Sequence, residues 1–163
     1  MAEPLPISVV VVAKNEAHTL DRCLDSVRPL ITHWVIVDTG STDGTQDIIR
    51  KHLRDLPGTL HERPWKDFAF NRSEALELAR PLADYSLIID ADDTLELPAG
   101  YKLPPLLDDC YMIRIHDTVL AYQRKQLVSN HLRWFYRGVL HEFLECESKH
   151  SIGHLGGVIM HRN

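Results

Sequence analysis

Cysteine is scarce: Cys23, Cys110 and Cys146 are the three among 163 residues, odd in number and never spaced as CxxC. That excludes a disulfide framework and a redox pair. No apolar run reaches the roughly 20 residues that cross a bilayer. The start, Met1-Ala2-Glu3-Pro4, lacks the basic and apolar regions of a leader peptide. A soluble, cytoplasmic protein is expected. Basic charge is in deficit as well, with 18 Lys and Arg against 23 Asp and Glu for a net charge of −5. A field of that sign repels a polyanion, so nucleic acid is not expected as a partner. Internal repeats and a linker marking a second domain are also missing. What remains is 44% hydrophobic, enough apolar content for one globular domain with its own core.

The apolar residues are ordered in a regular beat. Ile7 to Ala13 is nearly continuous and rich in β-branched side chains, the pattern of a parallel strand buried on both faces. Leu20, Cys23, Leu24 and Val27 then recur at helical spacing, and Pro29 ends the segment. Trp34 to Asp38 reads as a second strand, Thr45 to Leu53 as a helix and Thr59 to Arg63 as a weaker strand. A helix over Asn71 to Ala83 and a strand over Tyr85 to Asp90 follow. Strand ends at Ala13, Asp38, Pro64 and Asp90 fall 25, 26 and 26 residues apart, the length of βαβ units. The expected fold is α/β, an open, mostly parallel twisted sheet flanked by helices. Beyond Leu95 the pattern turns irregular and β-rich, with runs at Tyr111 to Ile115, Leu132 to Tyr136 and Gly157 to His161.

Right-handed crossovers bring the carboxyl ends of parallel strands to one edge, where open α/β sheets bind ligands. Here that edge carries Asn15, Glu16, Asp38, Asp43, Asp90, Asp92 and Asp93. In Asp90-Ala91-Asp92-Asp93, residues two apart on extended backbone face the same way, so Asp90 and Asp92 can share a divalent cation such as Mg²⁺ or Mn²⁺. An acidic, solvated turn is the alternative. The turn Asp38-Thr39-Gly40-Ser41-Thr42-Asp43-Gly44-Thr45 explains its glycines and hydroxyls as turn and helix-cap residues. It leaves Asp38 unexplained, because a carboxylate ending a buried strand needs donors, and a pyrimidine N–H or a sugar hydroxyl would serve. The first turn, Ala13-Lys14-Asn15-Glu16, is not GxGxxG, which argues against a dinucleotide-binding dehydrogenase.

Taken together, Ile7 to Glu16 with Cys23-Leu24-Asp25-Ser26, Trp34 to Thr45 and Leu87 to Asp93 resemble, in order and spacing, the family 2 glycosyltransferases of GT-A fold. Phe68-Ala69-Phe70-Asn71-Arg72-Ser73 resembles the family's segment whose basic residue reaches the donor nucleotide, with Ser73 where Asn is often found. The resemblance implies inverting transfer of a sugar from a nucleoside diphosphate donor, a UDP-sugar by preference, assisted by Mn²⁺ or Mg²⁺. It implies a donor pocket of Ala13, Lys14, Asn15, Glu16, Asp38, Arg72, Asp90 and Ala91, with Asp92 the principal metal carboxylate. It also implies one domain over residues 1–163, with 1–95 the nucleotide-binding half and 96–163 a short acceptor-side half.

Leu132 to Glu142 resembles the family branch in which a basic-aromatic strand leads to a His-Glu pair, here His141-Glu142. Glu142 is the candidate catalytic base, with Asp108, Asp109, Asp117 and Glu145 as alternatives. By position alone, His161 corresponds to a metal-ligating His at the end of a late strand. The acceptor, a glycan, a peptide or a small molecule, is not specified by these motifs. With so short an acceptor-side half, a second copy or a partner subunit is a candidate to complete that site. A nucleotidyltransferase and a non-catalytic nucleotide-sugar-binding module are the competing readings.

Overall fold

The computed structural model describes residues 5–138 and 142–163. Residues 1–4 and 139–141 lie outside the described residues, and with them the leader reading and His141. Seven elements build the first half: β1 (Ile7–Ala13), α1 (Leu20–Val27), β2 (His33–Asp38), α2 (Thr45–Leu53), β3 (Gly58–Glu62), α3 (Phe68–Ala79) and β4 (Tyr85–Ile88). Six strands follow: β5 (Thr94–Glu96), β6 (Cys110–His116), β7 (Ala121–Ser129), β8 (Phe135–Arg137), β9 (Phe143–Glu145) and β10 (Ile152–His161).

Eight strands form one sheet in the order β3-β2-β1-β4-β7-β6-β10-β5, and β8 pairs with β9 in a separate ribbon. The β3-β2-β1-β4 portion is parallel throughout, as expected of repeated βαβ units. β7 then runs antiparallel to both β4 and β6, while β10 is parallel to β6 and antiparallel to β5. Burial of β1 on both faces follows from alternation. Val9 and Val11 pack with Leu20, Leu24 and Val27 of α1 and Ile49 and Leu53 of α2. Val10 faces the other way, toward Ala75, Leu76 and Ala79 of α3. The sheet is therefore covered by α1 and α2 on one face and α3 on the other. Leu24 is 1% exposed in this layer, and its truncation to Ala is expected to cost about 2–5 kcal/mol. Among the described residues no helix is long and apolar enough to cross a membrane.

Three boundaries differ from the sequence reading. α3 begins at Phe68 because Asp67 caps it, its side chain accepting from the Phe70 N–H at 2.7 Å. β10 reaches back to Ile152, with a register irregularity between His154 and Ile159 that falls on Gly156-Gly157 and obscures the alternation. The expected strand over Leu132 to Tyr136 shrinks to β8, whereas β7 was not anticipated. Its outer half, Gln123-Arg124-Lys125-Gln126, has the composition of a loop because it lines a cavity rather than the core.

Candidate active site

The β1–α1 and β2–α2 loops are tied to each other at the carboxyl edge of the sheet. The Asn15 N–H donates to Ser41 Oγ at 2.8 Å, and Asn15 Oδ1 accepts from the Thr42 N–H at 2.8 Å. The Glu16 N–H donates to Thr45 Oγ1 at 3.0 Å, and the Ala17 N–H to Asp43 Oδ2 at 3.1 Å. Asn15 holds φ at 53°, a left-handed conformation that Asn tolerates better than most residues. Asp43 also accepts from the Thr45 hydroxyl and N–H, and that hydroxyl is the leading reason its carboxyl titrates below the ordinary range. Gly40 and Gly44, at φ 106° and 90°, take conformations that a side chain would strain.

Asp38 is fully buried in this turn. Its carboxylate accepts from the N–H groups of Gly40 and Ser41 at 3.1 and 2.9 Å, from the Ser41 hydroxyl, and from Gln46 Nε2 at 3.1 Å. The donors that the sequence argument sought in a ligand are thus supplied by the turn itself. Three of these donors converge on Oδ2, and the Ser41 hydroxyl alone reaches Oδ1. Around the loops a cavity of about 280 Å³ is lined by Val12, Ala13, Lys14, Glu16, Thr39, Trp65 and Phe68. Trp65 and Phe68, 42% and 52% exposed, meet edge to face with centroids 4.7 Å apart. Neither was singled out as a site residue in the sequence. Exposed aromatics beside strand-end loops are the signal that would have found them.

Following β4, the acidic turn is fixed from α1. Cys23 Sγ contacts the Asp90 carbonyl at 3.4 Å, Thr19 Oγ1 donates to the Ala91 carbonyl at 3.3 Å, and the Asp93 N–H closes the turn on the Asp90 carbonyl at 3.0 Å. Carboxylate oxygens of Asp90, Asp92 and Asp93 all lie within 4.8 Å of one another. Burial, reinforced by the charges of Asp90 and Asp92, pushes the Asp93 carboxyl up to about 7. Three carboxylates drawn this close offer the hard oxygen donors that a divalent cation takes.

Cations face this turn from two directions. Arg72 on α3 donates from Nη2 to Asp90 Oδ1 and from Nη1 to Glu142 Oε2, both at 2.6 Å. Burial opposes the Arg72 charge, but Asp90, Tyr136 and Glu142 together keep its pKa above the ordinary value. Arg162 contacts Asp90 Oδ2 at 3.4 Å and Asp93 Oδ2 at 3.8 Å, and donates to the Tyr122 hydroxyl at 3.1 Å. Arg72, Asp90, Glu142 and Arg162 open onto a cavity of about 320 Å³ whose far wall is Gln123 to Gln126 of β7.

Glu142 therefore sits closer to the acidic turn than an acceptor-side residue was expected to, one guanidinium away from Asp90. The alternative carboxylates are elsewhere. Asp109 pairs with His131, Glu145 with Arg137, and Asp117 accepts from Thr118 in the β6–β7 turn. Asp108 lies near Gly153 and Tyr111. His161 is not brought into the Asp90, Asp92, Asp93 cluster. Its Nε2 pairs with Glu96 Oε2 at 2.9 Å, because β10 and β5 run antiparallel with His161 opposite Thr94, and its ring stands edge to face with His116. Asn163 takes the position near the turn instead, donating to the Asp92 carbonyl at 2.9 Å.

The family model for glycosyl transferase family 2 matches residues 8–144, which include the lining of both cavities apart from Arg162. The chain belongs to glycosyl transferase family 2. Within that family it is 33% identical over 109 residues to the lipopolysaccharide core biosynthesis glycosyltransferase LpsC of Rhizobium meliloti, covering 66% of this chain and 39% of LpsC. It is 30% identical over 122 residues to an uncharacterized glycosyltransferase of Rickettsia felis, covering 75% of this chain and 40% of that protein. The chain thus spans about two fifths of the length of these curated relatives. Its fold is similar to that of S. aureus TarS residues 1–349, solved in complex with UDP, with a TM-score of 0.56 at 20% identity over 70% of this chain and 36% of that one. Membership of this family sets aside the nucleotidyltransferase reading.

Proposed function

We propose that this family 2 domain transfers a sugar from a nucleoside diphosphate donor, a UDP-sugar, to an acceptor hydroxyl with inversion, with Mn²⁺ or Mg²⁺ held at Asp92 together with Asp90. The observation that carries this reading is the junction at Arg72, where one guanidinium joins the carboxylate of the acidic turn to Glu142 at the mouth of a single cavity. In this reading the nucleoside lies in the cavity of Ala13, Lys14, Glu16, Trp65 and Phe68, where exposed rings suit a planar base. Asn15 and Asp38 hold the loops that shape it. The UDP bound by TarS supports uridine as the nucleoside. Residues 1–95 then bind the donor and 96–163 face the acceptor.

Inversion in one displacement breaks the bond from the anomeric carbon to the diphosphate oxygen as the acceptor oxygen forms its own bond from the opposite side. The acceptor proton goes to Glu142 and the electron pair to the departing diphosphate. Oε2 of Glu142 is held by Arg72, and Oε1 has no hydrogen-bond partner among the described residues, so it is the oxygen that faces the acceptor. Arg72 and Arg162 carry positive charge to the same edge, where negative charge grows on the leaving group. A bound divalent cation supplies further neutralisation of that diphosphate.

Incubation with Mn²⁺ and a panel of nucleotide sugars, with and without cell extract, tests the reading through release of nucleoside diphosphate. Release of UDP that depends on both metal and extract is the expected outcome. Binding of UDP without turnover under any acceptor would replace the transferase with a binding module.

A further inference from the structure

The cavity beside Glu142 is basic, although the chain as a whole carries a net charge of −5. Four cations, Arg72, Arg124, Lys125 and Arg162, line it against two carboxylates, Asp90 and Glu142. Arg72 is engaged by both of those carboxylates, and Arg162 by Asp90 and Asp93. Arg124 and Lys125 are different. Among the described residues no carboxylate lies within salt-bridge distance of either, and the Lys125 ammonium has only His150 Nε2 beside it, at 3.5 Å. Both side chains are half-buried at this wall.

The backbone is shaped to produce this wall. Opposite β6, Tyr111 pairs with Leu127 but Met112 pairs with Lys125, so Gln126 is an extra residue on β7. Such a bulge bends the strand and increases its local twist. Gln126 uses its amide to donate to the Ile88 carbonyl at 2.8 Å, which anchors the bulge against the end of β4. Gln123, Arg124 and Lys125 line the cavity beyond it.

The geometry points to Arg124 and Lys125 as a specificity site for an acceptor that carries an anionic group, a phosphate or a carboxylate, close to the hydroxyl that receives the sugar. The inference rests on the transferase reading above. The donor's diphosphate is the competing source of such an anion, and the strand order argues against it. β7 lies on the far side of β4 from β1 and β2, whose loops line the cavity with Trp65 and Phe68, so the basic wall stands beyond the acidic turn from the nucleoside. Two cations about a cavity of 320 Å³ match one phosphate or carboxylate on a sugar-sized ligand.

The test is a titration of inorganic phosphate, with acetate as the carboxylate probe and glycerol as the neutral control, onto the chain saturated with Mg²⁺ and UDP. Amide resonances of residues 123–126 report binding. The expected result is a saturable, salt-sensitive shift with phosphate or acetate and none with glycerol. Arg124→Ala and Lys125→Ala should each weaken that affinity about tenfold while moving UDP affinity less than threefold. Phosphate that leaves these resonances unmoved overturns the inference. So does phosphate that competes with UDP while the two variants weaken UDP tenfold, since the wall would then serve the donor. If the parent chain fails to bind UDP, the donor reading falls by itself, and the same titration without UDP still decides whether the wall binds an anion.

Discussion

Arg72 and Glu142 stand 70 residues apart in the chain, yet Nη1 donates to Oε2 at 2.6 Å while Nη2 of the same guanidinium holds Asp90. The rings of Phe68 and Tyr136 flank it, with centroids 5.0 and 5.6 Å from the guanidinium carbon. A planar fork holds two carboxylates on separate nitrogens in a fixed geometry, which a compact, strongly hydrated ammonium does not reproduce. Arg72→Lys is therefore expected to keep the fold but lower transfer by about 10²-fold, roughly 2.7 kcal/mol of barrier. Arg72→Ala leaves two facing carboxylates with no charge between them, and a loss of about 1–3 kcal/mol of stability is expected in thermal unfolding.

Asp92 and His161 make a paired test of the metal. Asp92 is half-buried with its carboxylate in the acidic cluster, whereas His161 is spent on Glu96. Asp92→Ala should leave the melting temperature within a few degrees and abolish the metal dependence of UDP binding by calorimetry. His161→Ala should leave metal affinity unchanged. A drop in metal affinity for His161→Ala would return that residue to the coordination shell.

Asp38 is expected to behave as a structural residue. Removing its buried carboxylate takes the shared acceptor from the N–H groups of Gly40 and Ser41 and from the Gln46 amide, a cost of about 1–3 kcal/mol. In Asp38→Ala the melting temperature should therefore fall, and affinities for UDP and CDP should fall in parallel as the loop loosens. Selective loss of UDP preference at unchanged stability would instead mean that this carboxylate reads the base.

The first 90 residues were legible because their signals are strong and local. Continuous β-branched runs flanked by helical periods force parallel strands, and parallel strands force the acidic turn and the loop of Asn15 onto one edge. β7 was illegible for the opposite reason. Arg124 and Lys125 line a cavity, and the bulge at Gln126 breaks the alternation by which a strand is recognised. The pairings of Asp38 and His161 were hidden in the same sense. Their partners, Gln46 and Glu96, are ordinary polar residues until the turn and the β5–β10 register bring them close. Burial of Asp38 could be read from its strand, but not which donors would satisfy it.

Trp65 offers a test of the nucleoside cavity that leaves the acidic turn alone. Its ring is 42% exposed and touches Phe68, so truncation sacrifices little core packing. Trp65→Ala should weaken UDP binding by about 1–3 kcal/mol, the usual range for a base stacked on an aromatic ring. Metal affinity in the absence of nucleotide should stay constant. If UDP binds Trp65→Ala as it binds the parent, the base lies elsewhere on this edge.

Glu142→Gln decides the catalytic base. The amide keeps the size of the side chain and an oxygen for the Arg72 Nη1 donor, so the junction with Asp90 should persist and the fold should be unaffected. What it loses is the capacity to take a proton, and general-base catalysis contributes on the order of 10²–10⁴ in rate. Transfer should fall by that factor while donor affinity shifts only a few-fold, through the weaker hold on Arg72. The separation of kcat from donor KM is the informative readout, because a merely structural role at the junction would lower kcat and raise donor KM together, with a lower melting temperature. Near-parent transfer by the Gln variant would remove Glu142 from the chemistry. Asp109, Asp117 and Glu145, engaged by His131, Thr118 and Arg137, would then be poor replacements without rearrangement, so the proton would have to leave through water or through a group on the acceptor.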